Sequence, residues 1–365
     1  LVDPKRKRQL IGSYGKELAR VQAPLPPGLN PDAPRQVGIW LAAQGFRLSR
    51  RTPGGQPAVD EDVLRGLLAT GPNPQLEALL TYRETTKLLR TYLANLKVEA
   101  DGRVRGRWLV HGTATGRLSS REPNFQNIPD DLRTIYVAPA GWRYAELDYD
   151  QIELRLIAHI AQAQGLLESF ATGRDEHGLN AQFMFALSQP AKKESAERDW
   201  AKIPVYGIIL YGGNARTVPL PPKMLQALPD GRRSVQRWVE WYLAKHHEIA
   251  AWRGRIAKEV GEKARLYNWA GRMRIFMGHD HERIREGYNF PIQGGAADII
   301  NLVLIGLDEG ERVLAQVHDS LLMEYQRSAE VENVKMVMER PVVIDGRAFS
   351  CPVSVKTGMR WGELT

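Results

Sequence analysis

Two acidic side chains, Asp148 in RYAELDYDQIELR and Asp319 in LAQVHDSLLMEY, stand where an apolar pattern breaks. RYAELDY alternates as a strand that ends near Asp148. DQIELRLIAHIAQ follows at once with Ile152, Leu156 and Ile160 every four residues, as in a helix. In the second segment apolar residues flank His318, Asp319 and Ser320, so the trio falls at the turn of a hairpin. Buried unpaired acids are costly, and neighbouring acids repel. A pair of divalent cations resolves both problems. Two carboxylates from neighbouring strands can hold hard ions that activate an attacking oxygen and stabilise a leaving one in phosphoryl transfer, and Mg²⁺ suits oxygen ligands. By spacing alone the signal is weak, because 42 Asp and Glu offer many acid pairs. AERDWAKIPVYGIILYGG adds Arg198, Lys202 and Tyr206 four residues apart, on one helical face. Two cations and a ring suit a nucleoside triphosphate. A surface helix with snorkelling cations fits the same pattern, and the pattern alone favours it.

The elements that must position these groups are mostly helical. Residues 1–30 form a basic, then proline-rich segment. A helix is expected from Pro34 through RQVGIWLAAQG, ended by Gly45. A short amphipathic helix follows over EDVLRGLLATG. A longer one covers PQLEALLTYRETTKLLRTYLANL, with Leu79, Tyr82, Leu89, Tyr92 and Leu96 at helical spacing. GRVRGRWLVHG reads as a strand with Arg103, Arg105 and Arg107 on one face, either a solvated edge or a phosphate-facing one. Residues 176–260 are helical, interrupted at YGGN and VPLPPKML, and GGAADIINLVLIGLDEG precedes the hairpin.

A chain of 365 residues can bury a large core in several subdomains. Its formal charge of +8 favours a polyanionic partner without requiring one. No apolar run of about 18 residues could span a membrane, and LVDPKRKRQLIG lacks a signal peptide's apolar core. The single cysteine, Cys351, excludes an internal disulfide. The absence of an initiator methionine suggests a piece of a longer protein.

DYDQIELR (148–155) resembles motif A of the family A DNA polymerases, RDWAKIPVYGIILYG (198–212) their motif B and QVHDS (316–320) their motif C. TGRLSSREPNFQNIP (115–129) is similar to the primer–template segment and GRMR (271–274) to the basic palm turn. REGYNFPIQGGAADII (285–300) is similar to the segment with template-strand and minor-groove contacts, and YRETTKLLRTYLANL (82–96) to the end of the thumb. The resemblance runs from about residue 30 to the C-terminus.

It implies an α+β right-hand polymerase fold, with an antiparallel-sheet palm and helical fingers and thumb. The N-terminal segment is 1–30 and a shortened thumb 31–100. Palm with motif A is 101–175, fingers with motif B 176–262, and palm with motif C 263–365. The implied activity is template-directed DNA synthesis on a primer 3′-hydroxyl with pyrophosphate release. Asp148 and Asp319 match the metal-binding aspartates, with a main-chain contact from Tyr149, for two Mg²⁺ ions that Mn²⁺ can replace. Arg198 and Lys202 match the triphosphate contacts, and Lys202 also a general acid toward pyrophosphate. Tyr206 lies beside the incoming sugar, Tyr211 in the nucleotide site, His177 near the triphosphate, and Glu153 is the steric gate against a ribose 2′-hydroxyl. Arg117, Gln126, Asn127, Arg285, Asn289, Gln293 and His318 match residues lining the duplex, and Arg272 a DNA contact of the basic turn. Such amides and guanidinium groups meet minor-groove acceptors common to all correct pairs. Implied partners are primer–template DNA, deoxynucleoside triphosphates and replication accessory proteins, with no membrane and a monomer on DNA. Implied location is the cytoplasm of a bacterial or phage-infected cell, an organelle remaining open.

Four departures bear on these roles. Motif B carries one extra residue, leaving Tyr206 and Tyr211 five apart instead of four, so either a π-bulge absorbs it or Leu210 takes the tyrosine's place. Pro204 inside that helix predicts a kink or a late start. Ser320 stands where most members carry glutamate, and Asp150 where serine is common. The roughly thirty residues ahead of the alignable part are too few for a proofreading nuclease, so either a nuclease domain lies outside this sequence or the protein is expected to work beside other factors. The alternatives are a single-subunit RNA polymerase, against which Glu153 argues, and a reverse transcriptase, whose hairpin carries adjacent acids where this chain has HDS. The non-enzyme alternative is an inactive DNA-binding relative.

Overall fold

The computed structural model describes residues 1–68 and 71–365, in two compact units of an α+β fold. The first unit comprises residues 1–107, 120–144 and 358–365, and the second 108–119 and 145–357.

In the first unit α1 (Pro4–Gln22) packs on α4 (Pro74–Leu88), with α2 (Pro34–Ala43) and α3 (Glu61–Leu68) beside them. Val37, Leu41, Leu64, Leu76 and Leu79 form the core shared by α2, α3 and α4. The basic run 5–8, expected as part of an N-terminal segment, is the start of α1. Asp3 accepts from the N–H groups of Lys5 and Arg6, and Pro4 opens the first turn. Asp3 also pairs with Arg360 at 2.5 Å. Asp3→Ala is expected to cost about 1 kcal/mol through the lost cap, read as a lower urea midpoint.

Gly45, at φ +83°, ends the turn after α2 as anticipated. The helix expected over EDVLRGLLATG runs to Leu68, and its continuation at 69–70 lies outside the described residues. The single helix expected over 74–96 changes register after Leu88 into a π turn, Leu89–Ala94, which turns Tyr92 and Leu93 inward. The strand expected over 102–112 is only Arg107–Leu109. Arg105 instead pairs with Asp101 at 2.6 Å in the turn before it, so no alternating arginine face forms.

The second unit holds β1 (Arg143–Tyr149, entering at Ala145), α5 (Ile152–Ala161), α6 (Glu176–Met184) and α7 (Ala196–Pro204). α8 (Arg232–Lys245), α9 (His247–Lys263) and α10 (Asp280–Gly306) follow. Then come β2 (Val313–Val317), β3 (Ser320–Tyr325), α11 (Ser328–Met338) and β4 (Val353–Gly358, leaving the unit after Thr357). The four-stranded sheet has the order β4-β1-β3-β2, with β2 and β3 an antiparallel hairpin. Ala145, Leu147, Tyr149, Leu321, Met323 and Val353 enter a core with side chains of α5, α10 and α11. Alternation therefore sends Glu146, Asp148, Ser320, Ser354 and Lys356 to the opposite face. A second core joins α5–α9 around Trp238, Tyr242 and Trp252. Among the described residues no helix is long and apolar enough to cross a membrane.

Candidate active site

The site is assembled where β1 ends and the β2–β3 hairpin turns. The Val317–Ser320 pair closes that turn, leaving His318 at φ +52° beside Asp319. A left-handed non-glycine residue costs about 1–2 kcal/mol, a strain tolerated at functional turns. The Tyr149 N–H donates to the Asp319 carbonyl at 3.3 Å, tying strand end to hairpin. Asp148 and Asp319 thereby line one cleft of about 330 Å³, together with Tyr149, Glu153, His177, Arg198, Lys202, Tyr206 and His318. Gln151 and Ile152 complete its wall. Sequence reasoning missed Gln151, whose buried Oε1 has no hydrogen-bond partner among the described residues. The available signal was its place in DYDQIELR, between the acid and the helix.

The carboxyl of Asp148 is pushed up to about 6, first by burial, then by the charges of Asp319, Glu146 and Asp150, against Lys356. Two hard carboxylates facing one space, held in mutual repulsion, suit divalent cations. Among the described residues no group of three or more His, Cys, Asp or Glu side chains is arranged around a metal position. Mg²⁺ commonly takes one or two carboxylates and completes its shell with phosphate and water.

In the metal-free protein the raised Asp148 value contributes stability that is present below the ordinary 3.8 and lost as pH rises through about 6. Asp148→Asn is expected to flatten that fall and to raise the metal-free Tm at neutral pH, measured by thermal melts in chelator across this range.

Glu153 is buried at the start of α5. Its Oε1 accepts from Arg117 Nη2 at 2.6 Å and its Oε2 from the Tyr211 hydroxyl at 2.6 Å. The same Arg117 nitrogen reaches Asp319 Oδ1 at 3.0 Å. Burial and the Asp319 charge raise the Glu153 carboxyl, against Arg117 and Tyr211. Burial works against the charge of Arg117, yet Asp319 and Glu153 raise it overall. Arg117 thus bridges the two acids.

On α7 the Ser195 side chain caps the helix, and Arg198 forks onto Asp175, with Nε at 2.6 Å and Nη2 at 3.1 Å. Asp175 went unnoticed in the sequence. Lys202 pairs with Asp199 at 2.7 Å. His177 is pushed down to about 4 by burial and by the charges of Arg198 and Lys202, so it is neutral at pH 7. The late start expected from Pro204 does not occur, because α7 already begins at Ala196. The proline closes α7, and the chain continues as a π turn over Val205–Leu210. The Tyr211 N–H donates to the Tyr206 carbonyl five residues back at 3.0 Å. The extra residue is absorbed as a π-bulge, Leu210 is buried, and the Tyr211 hydroxyl keeps its reach to Glu153. The Tyr206 ring lies 6.2 Å from His177 and 6.4 Å from Tyr211.

Arg285, Asn289 and Gln293 recur every four residues along α10, and Gln293 hydrogen-bonds Tyr211. The YGG turn packs on this helix so closely that a Cβ on Gly212, at φ +68°, would lie 2.6 Å from the Tyr288 ring. Arg272 is held by Asp298 at 2.5 Å, with Asn268 on the same carboxylate at 2.6 Å. Gln126 and Asn127 belong to the first unit, in the 3₁₀ turn Phe125–Asn127. There Asn127 lines a separate cleft of about 530 Å³ with Arg65, Lys87 and Tyr92.

The family model of DNA polymerase family A matches residues 12–363. The thermostable DNA polymerase I of Thermus thermophilus is 32% identical over 308 residues, covering 79% of this chain and 36% of its own length. DNA polymerase I of Pseudomonas aeruginosa is 30% identical over 364 residues, covering 92% and 38%. Among solved structures, the POL domain of Pol1 from M. smegmatis, in complex with DNA primer-template and dNTP, superposes with a TM-score of 0.81 at 28% identity. That match covers 99% of this chain and 67% of the other. The chain spans little more than a third of the curated relatives' length.

Proposed function

Because this chain belongs to DNA polymerase family A, we propose that it is a template-directed DNA polymerase extending a primer 3′-hydroxyl with deoxynucleoside triphosphates. The observation that carries the reading is the convergence of Asp148 and Asp319 with Arg198, Lys202 and Tyr206 in one cleft. In this reading residues 31–100 act as thumb, 101–175 and 263–365 as palm, and 176–262 as fingers. Primer–template DNA is the partner of a monomer, with replication accessory proteins as further partners. Bacterial relatives support the cytoplasm of a bacterial or phage-infected cell as its location.

Family A polymerases use divalent metal ions. Asp148, Asp319 and the Tyr149 carbonyl would hold two of them here, Mg²⁺ by preference and Mn²⁺ as a substitute. When bound they supply Lewis-acid activation of the primer hydroxyl and neutralise charge on the phosphates. Arg198 and Lys202 bind the triphosphate once released from Asp175 and Asp199, and Lys202 delivers a proton to the departing pyrophosphate oxygen. Tyr206 packs beside the sugar, with neutral His177 behind it. Glu153, fixed by Arg117 and Tyr211, occupies the volume a 2′-hydroxyl needs. His318, Arg285, Asn289 and Gln293 follow the duplex near the primer end, as do Gln126, Asn127 and Arg272.

The test is extension of a primed DNA template with Mg²⁺, comparing deoxy- and ribonucleoside triphosphates. Templated deoxynucleotide addition with poor ribonucleotide use is expected. A folded chain that binds the duplex and adds nothing would sink the reading.

A further inference from the structure

Ser320 follows the hairpin aspartate at the position where most members of the family carry glutamate, so this chain lacks that acid on β3. Its hydroxyl points at another one. Ser320 Oγ lies 3.1 Å from Oε1 of Glu146 on the neighbouring strand β1. Ser320 is buried, and its hydroxyl already has a backbone acceptor, the Val317 carbonyl at 2.9 Å. A hydroxyl has one proton to donate, so the contact with Glu146 is not needed to satisfy it.

Glu146 precedes Asp148 by two residues, and the residues between and around them face the core, so the two carboxylates share one face of the sheet. Acids stacked along one strand face destabilise the protein unless something cationic gathers there.

Building on the polymerase reading, we infer that Glu146 is a positioning residue that supplies from β1 the acidic charge a glutamate at position 320 would supply from β3. Its carboxylate, two residues before Asp148 on the same face of β1, would add negative charge near the ions that the aspartates hold and would not be a ligand itself. Residues of this kind tune metal affinity by about 10- to 100-fold.

Four variants test this: Glu146→Ser, Ser320→Glu, the exchange E146S/S320E, and Ser320→Ala. The probe is Mn²⁺, titrated by electron paramagnetic resonance into the complex with a dideoxy-terminated primer–template and a matching deoxynucleoside triphosphate, which cannot react. Primer–template affinity, measured alongside, reports folding. Glu146→Ser is expected to weaken Mn²⁺ binding about tenfold and to raise the Mg²⁺ needed for extension by a similar factor. The exchange variant should recover most of that loss. Ser320→Ala, which removes the hydrogen bond and keeps the charge, should bind Mn²⁺ as the parent does. Unchanged Mn²⁺ binding in Glu146→Ser, an exchange variant no better than the single one, or equal losses in Ser320→Ala and Glu146→Ser would each overturn the assignment. Should the parent chain fail to extend primers, the polymerase reading falls, while the Mn²⁺ titration still decides for or against Glu146.

Discussion

Asp319→Ala is expected to reduce primer extension by at least about 10³-fold while the protein still binds primer–template. Charge stabilisation by bound cations contributes several kcal/mol to a phosphoryl transition state, and each 1.36 kcal/mol is about tenfold in rate. The carboxylate also repels Asp148 and accepts from Arg117 at 3.0 Å. Its loss removes the repulsion and leaves Arg117 paired with Glu153 at 2.6 Å. The metal-free Tm of Asp319→Ala should therefore equal or exceed that of the parent, separating lost chemistry from lost fold. Asp148→Ala should match it in rate. The double variant should be little slower than either, because groups acting as a unit do not add. Single-turnover extension, duplex binding by fluorescence anisotropy and a thermal melt would check all of this. Extension by Asp319→Ala within tenfold of the parent would remove the aspartate from the reaction.

How far the sequence foretold this site varies from residue to residue, for physical reasons. Asp148 was legible because hydrophobic period switches from two to nearly four at that point, and only a strand running into a helix does that. Asp319 was legible as a hairpin turn because its flanks are apolar on both sides. The five-residue spacing of Tyr206 and Tyr211 announced an irregularity without saying which. The choice between a π turn and a substituted tyrosine depends on Val205, Ile208, Ile209 and Leu210 all finding burial against distant helices. No local propensity encodes that. Helix α1 was missed because four successive basic residues at a helix start oppose the macrodipole, and the Asp3 cap and packing on α4 outweigh that penalty. The arginines at 103 and 105 looked like strand because alternation is cheap to produce over few residues. The partners of Arg117, Arg198 and Ser320 lie at sequence separations of 202, 23 and 174. Only tertiary structure could reveal them.

Glu153→Ala and Glu153→Gln should separate the two roles proposed for this side chain, exclusion of a ribose 2′-hydroxyl by volume and charge pairing with Arg117. Alanine removes the bulk. Excluding one hydroxyl by overpacking is worth about 1–3 kcal/mol, so discrimination against ribonucleotides should fall by about 5- to 150-fold. Glutamine keeps the volume and can still accept from Tyr211, so discrimination should largely persist. It loses the charge that faces Arg117 at 2.6 Å, with the two side chains 22% and 4% exposed. Breaking a buried pair from one side costs about 3 kcal/mol or more, reduced here because Arg117 retains Asp319. Glu153→Gln should therefore show the lower denaturation midpoint for its size and the better selectivity, as judged by incorporation of matched ribo- and deoxynucleotides opposite one template base. If Glu153→Gln relaxed selectivity as much as Glu153→Ala, the exclusion would rest on the fixed negative charge and not on volume. Arg117, which fixes that charge, would then set sugar selectivity as much as the gate itself.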